Sequence, residues 1–298
     1  MNSLRHTIYS LAAILLASSC GSQIERRTVR IERQWPAQTV RRIEVREVDG
    51  AITVDAGSSS QITLNALVRS RNRAKPEADN QGFFLSQIEG DTLVIGRRHE
   101  HTTIVFPFWS GNDTRVDYAL HVPANVEVDL HTVTGRITTH GVAGETRATT
   151  VNGVIDIETP GSSEVEAKAV NGRIEARFLH EFHGALLKTV NGGVNLVLPA
   201  SASFAGDFSQ VNGDVEAAFP LNIRSHPGSR RVSGEVNGGR YALRITTVNG
   251  DIRIENGGGP LAVPAPPLAP PTPPVPSAIP APPAPGAAPA RPTPPPVT

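Results

Sequence analysis

Val151-Asn152-Gly153-Val154-Ile155 is the stretch on which the reading of this chain turns, because the chain repeats it. Close copies stand at Val170-Asn171-Gly172, Val190-Asn191-Gly192, Val211-Asn212-Gly213 and Val248-Asn249-Gly250. Looser ones fit at Val133-Thr134-Gly135 and Val232-Ser233-Gly234. From Gly135 onward the glycines step by 18, 19, 20, 21, 21 and 16 residues. A near-constant period of this size marks a repeat architecture, in which each unit completes its core by stacking on its neighbours. Three residues before each Val of the main series stands an apolar residue: Leu130, Ala148, Ala167, Leu187, Phe208 and Ile245. Two residues after each Gly stands a β-branched one: Ile137, Ile155, Ile174, Val194, Val215 and Ile252. Period-two alternation on both sides of the Gly predicts strand, turn, strand with one buried face, and no window shows helical spacing. The chain reads as all-β.

Asn-Gly between strands admits two architectures. One is an antiparallel meander, with Asn-Gly as the type I′ turn of each hairpin. The other is a parallel β-solenoid, with Asn-Gly at a corner where coils stack in register and the Asn side chains form a ladder. The regular period favours the solenoid, with one coil of two or three short strands per repeat. On either reading Asn152, Asn171, Asn191, Asn212 and Asn249 are structural turn residues and not ligands for a metal or a sugar. Gly135, Gly153, Gly172, Gly192, Gly213 and Gly250 are expected to occupy backbone conformations that other residues reach only at a cost. Gly250, last in the series, is expected on an end coil.

The domain plan follows from composition. Residues 1–19 read as a signal peptide: Arg5 supplies the charge, and Ile8 to Leu16 an apolar run too short to be a typical membrane span. The small residues Ala17-Ser18-Ser19 lead to Cys20, the chain's single cysteine. This resembles the lipobox of bacterial lipoproteins, with Ala17 where Leu is commonest, and the resemblance implies acylation of Cys20. A lone cysteine supplies no disulfide framework. Residues 20–40 form a tether and a first edge strand, with Arg26, Arg27, Arg30 and Arg33 interleaved by Glu25 and Glu32. Residues 41–258 are the repeat domain, opened by a degenerate copy at Val48-Asp49-Gly50. Within it, 61–68 reads as a strand, 69–81 as a loop and 83–96 as two strands about Glu89-Gly90-Asp91. The aromatic run Ile104 to Asn112 reads as a cap or a contact surface, and a further strand ends at Pro123. Residues 259–298 hold 18 of the 26 prolines and one charge, Arg291. Such a segment cannot bury a core and is expected to be a disordered, extended stalk.

Little in the sequence points to catalysis. The 28 basic and 28 acidic residues cancel and no basic block is free of acids, which argues against nucleic acid as a partner. His99-Glu100-His101 and His180-x-x-His183 lack a cysteine cluster and the HExxH spacing, so no metal site is assigned. No nucleophile elbow, P-loop or dinucleotide fingerprint stands in context, so no cofactor is assigned. The enzymatic alternative is a polysaccharide-acting β-helix, whose active site would interrupt the repeat. The only interruption runs from Pro220 to Gly239, with His226 and Arg230-Arg231, and carries Glu235 as its single acid.

The serial V-N-G-x-[IV] units, preceded by Leu120-His121-Val122-Pro123 and closed by Thr247-Val248-Asn249-Gly250-Asp251-Ile252, resemble the bacterial putative-adhesin family. Its domain is the β-strand-repeat domain of unknown function 4097. The resemblance covers about Glu44 to Glu255. It implies a β-solenoid-like domain on secreted or membrane-attached envelope proteins and no established reaction. The expectation for the whole chain is a non-catalytic, lipid-anchored envelope protein, periplasmic or surface-exposed. Gly21, in place of the Asp that retains lipoproteins at the inner membrane of enteric bacteria, favours the outer membrane where there is one. Its expected partners are the membrane, through the lipid, and an envelope protein or a glycan. A glycan-binding module would need rows of exposed aromatics, and the chain has two Trp and three Tyr. A partner protein in envelope-stress sensing is a further alternative.

Overall fold

The computed structural model describes residues 27–70, 84–97, 114–219 and 231–257. Cys20, the His99–His101 pair, the aromatic run at 104–112, His226 and the Pro-rich stretch lie outside them. So does all but the start of the expected 69–81 loop. The described residues form two ten-stranded sheets whose inner faces share one apolar core. The only helical element among them is a 3-10 turn at Ala37–Thr39.

The repeat produces this architecture coil by coil. Each copy is one strand in the first sheet, a corner at Asn-Gly, and one strand in the second. The central pairs are β8 (Glu127–Thr134) with β9 (Ile137–His140), β10 (Thr146–Asn152) with β11 (Ile155–Thr159), β12 (Val165–Asn171) with β13 (Ile174–Phe178), and β14 (Ala185–Asn191) with β15 (Val194–Leu198). Strands pair in parallel with their equivalents in the next coil, Ala148 opposite Ala167 and Ile155 opposite Ile174. The two strands flanking an Asn-Gly lie in different sheets, so the turn is a solenoid corner and the hairpin alternative is excluded. The alternating apolar residues are the core: Leu130, Ala167, Leu187, Phe208 and Ile245 are inaccessible to solvent, as are Ile137, Ile155, Ile174 and Ile252.

Both ends depart from chain order. At the amino-terminal end β2 (Arg42–Asp49) and β3 (Ile52–Gly57) form the degenerate coil with Gly50 at its corner. That coil lies between β8–β9 and a flanking layer made of β6 (Thr92–Arg97) and β7 (Thr114–Pro123). Antiparallel strands finish this end: β5 (Phe84–Glu89) on β6, β4 (Gln61–Ser70) on β7, and β1 (Arg27–Pro36) on β4. At the other end β16 (Phe204–Asn212) and β17 (Val215–Ala217) make the outermost coil. The last coil of the sequence, β19 (Tyr241–Asn249) with β20 (Ile252–Asn256), is inserted between β14–β15 and β16–β17.

Two expectations are corrected here. Gly250 is not on an end coil, because β19–β20 has a neighbour on each side; Gly213 occupies that place. Val232-Ser233-Gly234 is no repeat corner either. It lies inside β18 (Arg231–Val236), an antiparallel edge strand in which Gly234 stands opposite Gly206. The motif match there was compositional, without the alternating apolar residues that define a coil.

Candidate functional site

The corner marked by Val-Asn-Gly is the most regular feature of the surface. Its main chain continues the ladder around the bend. Gly153 N–H donates to Asn171 O (3.0 Å), Gly172 N–H to Asn191 O (2.9 Å), Gly192 N–H to Asn249 O (2.8 Å) and Gly250 N–H to Asn212 O (2.9 Å). The Asn side chains run in the opposite sense. Asn171 Nδ2 donates to Asn152 Oδ1 (2.9 Å), Asn191 to Asn171 (2.8 Å), Asn249 to Asn191 (2.8 Å) and Asn212 to Asn249 (2.8 Å). All five sequence-assigned asparagines are thus brought into one ladder, with each amide oriented alike.

The glycines have two causes: Gly135, Gly192, Gly213 and Gly250 hold the positive φ that was expected, and close packing adds a second reason that acts alone at Gly153 and Gly172. At Gly172 the backbone lies outside the left-handed region; a Cβ there would stand 1.6 Å from the carbonyl oxygen of Gly153. The same close approach holds at Gly153, 1.7 Å from Gly135 O, and at Gly250, 2.1 Å from Gly192 O. Coils stack so tightly at the corner that a neighbour's carbonyl occupies the place of a side chain. A buried threonine row, unmarked in the sequence reading, meets these carbonyls from inside. Thr132 Oγ1 donates to Gly50 O (3.2 Å), Thr189 to Gly172 O (2.8 Å) and Thr247 to Gly192 O (3.1 Å). The signal was present, a Thr two residues before the Asn or its equivalent in most copies; at the amino-terminal coil Glu47 takes this position. Its carboxylate accepts from Val48 N–H, Asp49 N–H and the Tyr118 hydroxyl (2.9, 3.1 and 2.7 Å).

The valine of the motif points the other way. Val48, Val133, Val151, Val170, Val190 and Val211 are 37–55% exposed, and Val248 is half-buried. Their strands are consecutive in one sheet, so the seven side chains form a ridge parallel to the Asn ladder. At a strand spacing of ~4.8 Å its length is about 29 Å.

Beyond this corner the outer faces carry ion pairs of mixed sign. Arg42 makes two hydrogen bonds to Glu127 (3.1 and 2.8 Å), and this pairing raises its pKa. His131 Nε2 lies 2.7 Å from Asp129 Oδ1. That close pairing, with Arg147 and Arg42 farther off, holds the Asp129 carboxyl below the usual carboxylate range against the effect of burial. Asp207 is held down in the same way by Arg231, with Arg244 adding to it. His183 of the His180-x-x-His183 pair lies with Nδ1 2.7 Å from Gly161 O and its ring against Tyr241. Among the described residues no cluster of His, Cys, Asp or Glu is arranged to hold a metal ion. Two depressions of about 440 Å³ each share Asn125 and Glu127 along the opposite corner, where strands of the second sheet return to the first. Trp35 and Tyr118 are buried, so neither offers a platform to a sugar ring.

A protein-family model described as Toastrack DUF4097 matches residues 25–255. The match includes β1, which the sequence reading placed with the tether. No curated protein matches the chain. Among solved structures, a putative cell adhesion protein from Clostridium sporogenes is similar at 10% identity and a TM-score of 0.43, covering 77% of this chain and all of that one. A putative adhesin from Bacteroides fragilis is similar at 10% identity and a TM-score of 0.38, covering 79% of this chain and all of that one. A putative lipid binding protein from Parabacteroides distasonis is similar at 10% identity and a TM-score of 0.25, with 76% and 96% covered.

Proposed function

This chain belongs to the toastrack DUF4097 family, and on that premise we propose that it is a non-catalytic interaction module held at the bacterial cell envelope by acylated Cys20. The single observation that carries the interaction reading is the valine ridge. Seven coils place the same apolar side chain where solvent reaches it, although the alternating pattern supplies polar residues elsewhere on the same outer face. Exposed apolar side chains are ordinary singly, and a contiguous row of them marks a contact surface. The rest of the described surface supports the same reading. Its ionisable groups are paired with opposite charges along the strands, an arrangement suited to solvation.

The anchor rests on the sequence before Cys20, and two acyl signals together give stable attachment where one is marginal. The outer membrane is the proposed destination in a cell that has one. The test labels intact envelopes with a membrane-impermeant maleimide, comparing Val170→Cys on the ridge with Ser163→Cys on the opposite corner. Protection of position 170 that detergent abolishes, with position 163 reactive throughout, is the expected result. Equal labelling of both would remove the ridge as a contact surface. Turnover of an envelope polysaccharide by the purified protein would remove the non-catalytic reading.

A further inference from the structure

We propose that the component facing the Val-Asn corner is the membrane itself, and that the corner lies against an anionic lipid surface. The inference rests on the contact-surface reading above and names its partner. Three independent placements converge on it.

The first is charge. The register aligns Arg46, His131, Thr149, Lys168, Lys188, Thr246 and Ser209 in the outer row beside the valines, a row with four basic residues and no carboxylate. On the other side of the Asn ladder the residues after each Gly include Arg136 and Arg173. Carboxylates that pair with these residues stand one row farther out: Glu44 with Arg46, Asp129 with His131, Glu166 with Lys168, Asp156 with Arg136 and Glu175 with Arg173. Lys188 has no carboxylate partner among the described residues, since Leu186 takes the place that Glu166 holds one coil away. An apolar ridge between two cationic rails matches the order of a bilayer surface, with acyl chains beneath phosphates. Asp49 among the ladder residues, and Asp251 and Asp214 at the far end, confine the rails to the coils from β8 to β15, which leaves Arg46 of β2 outside them.

The second is the apolar ridge itself. About 29 Å of half-exposed valine is long enough to follow a surface and too narrow to be a core left open. Binding of this kind adds apolar burial to electrostatic attraction, and neither alone suffices.

The third is where the chain enters the fold. Ile31 of β1 is level, through Ala66 and Tyr118, with Ile52, the first residue of β3 after the corner. β1 begins four residues earlier, at Arg27, and so projects on the Val-Asn side. Six residues lie between Cys20 and Arg27, and the seven chain steps reach at most about 25 Å. A lipid on Cys20 therefore holds this corner, and not the opposite one, toward the bilayer.

The experiment uses the full chain purified from its envelope and reconstituted into vesicles of phosphatidylcholine, with or without phosphatidylglycerol. A polarity-sensitive fluorophore is placed at Val170→Cys or at Ser163→Cys, and an unchanged thermal midpoint certifies the fold of each. The expected result is blue-shifted emission at position 170, quenched by lipid-borne quenchers, only when phosphatidylglycerol is present. Position 163 should stay in water. High salt, or Lys188→Glu with Arg173→Glu, should return position 170 to aqueous emission, each lost cation weakening the contact about fivefold. Aqueous emission at 170 in both vesicles overturns the membrane assignment. If position 170 nevertheless remains protected in intact envelopes, the contact surface stands and its partner is a protein with acidic character. Because Cys20 is the only natural thiol, a label found on it shows separately that the anchor reading has failed.

Discussion

At Gly172 the fold has no room for a side chain of any kind, and this makes the corner testable by single substitutions. Gly172→Ala puts a methyl 1.6 Å from Gly153 O and should cost about 3 kcal/mol, the upper part of the overpacking range. Gly250→Ala should cost nearly as much, since its coil also has two neighbours. Gly213→Ala meets a positive φ of 135° and a 2.3 Å approach to Gly250 O, so only the freedom of an end coil to give way should lower its cost, and urea midpoints of the three variants would show the order. The asparagines form a graded set too. Asn171→Ala removes a donated and an accepted bond, Asn212→Ala only a donated one, at ~0.5–1.5 kcal/mol per bond with exposure favouring the lower figure. Acid sensitivity has its own residues. The native pKa values of Asp129 and Asp207 are depressed, so their contribution is complete above the unfolded carboxylate range near pH ~4 and fades as pH falls through the native values. Arg231→Gln should therefore flatten the acid limb of the stability profile below pH ~4 while leaving its slope near neutrality unchanged.

Among the strands, some of this was legible in the sequence and some could not have been. Leu130, Ile155 and Ile174 announced their burial by alternation, because a strand with one wet face permits no other pattern. The Asn-Gly pairs announced a bend but left its kind open, since type I′ hairpins and solenoid corners ask for the same two residues. Stacking order was not legible at all. Five coils present the same edge, Val, Asn and Gly, so Asn249 fits between Asn191 and Asn212 as well as it would fit beyond Asn212. The valines' outward aim was implied by the same alternation that buried Ala148 and Thr150, and their meaning emerged only once seven strands lay side by side. The inserted coil is decisive for stability. A chain ending after Arg240 loses the layer that joins β14–β15 to β16–β17, and should give no cooperative unfolding transition by circular dichroism. A chain ending after Gly259 keeps every described strand and should match the parent's midpoint within error.

Across the whole molecule, the balanced 28 and 28 charges leave attachment to local features: the proposed lipidation at Cys20 and the apolar corner. Cys20→Ser should move the protein from the envelope pellet to the soluble fraction if the acyl chains dominate. A residual pelleted fraction sensitive to salt would then measure the corner's own contribution. The same molecule also has a clock built into its connectivity. In most solenoids each coil can settle as soon as the one before it exists, so growth at the ribosome or emergence from a translocation pore can set the tempo of assembly. Here the slot beside Asn191 must stay vacant until Asn249 arrives, more than fifty residues later. The outermost coil therefore waits, half-made, for the final stretch of the domain to slide in beside it. A chain delivered from its amino end commits to its complete form only at the close of delivery, and anything that pauses delivery between residues 212 and 241 holds the longest-lived incomplete form.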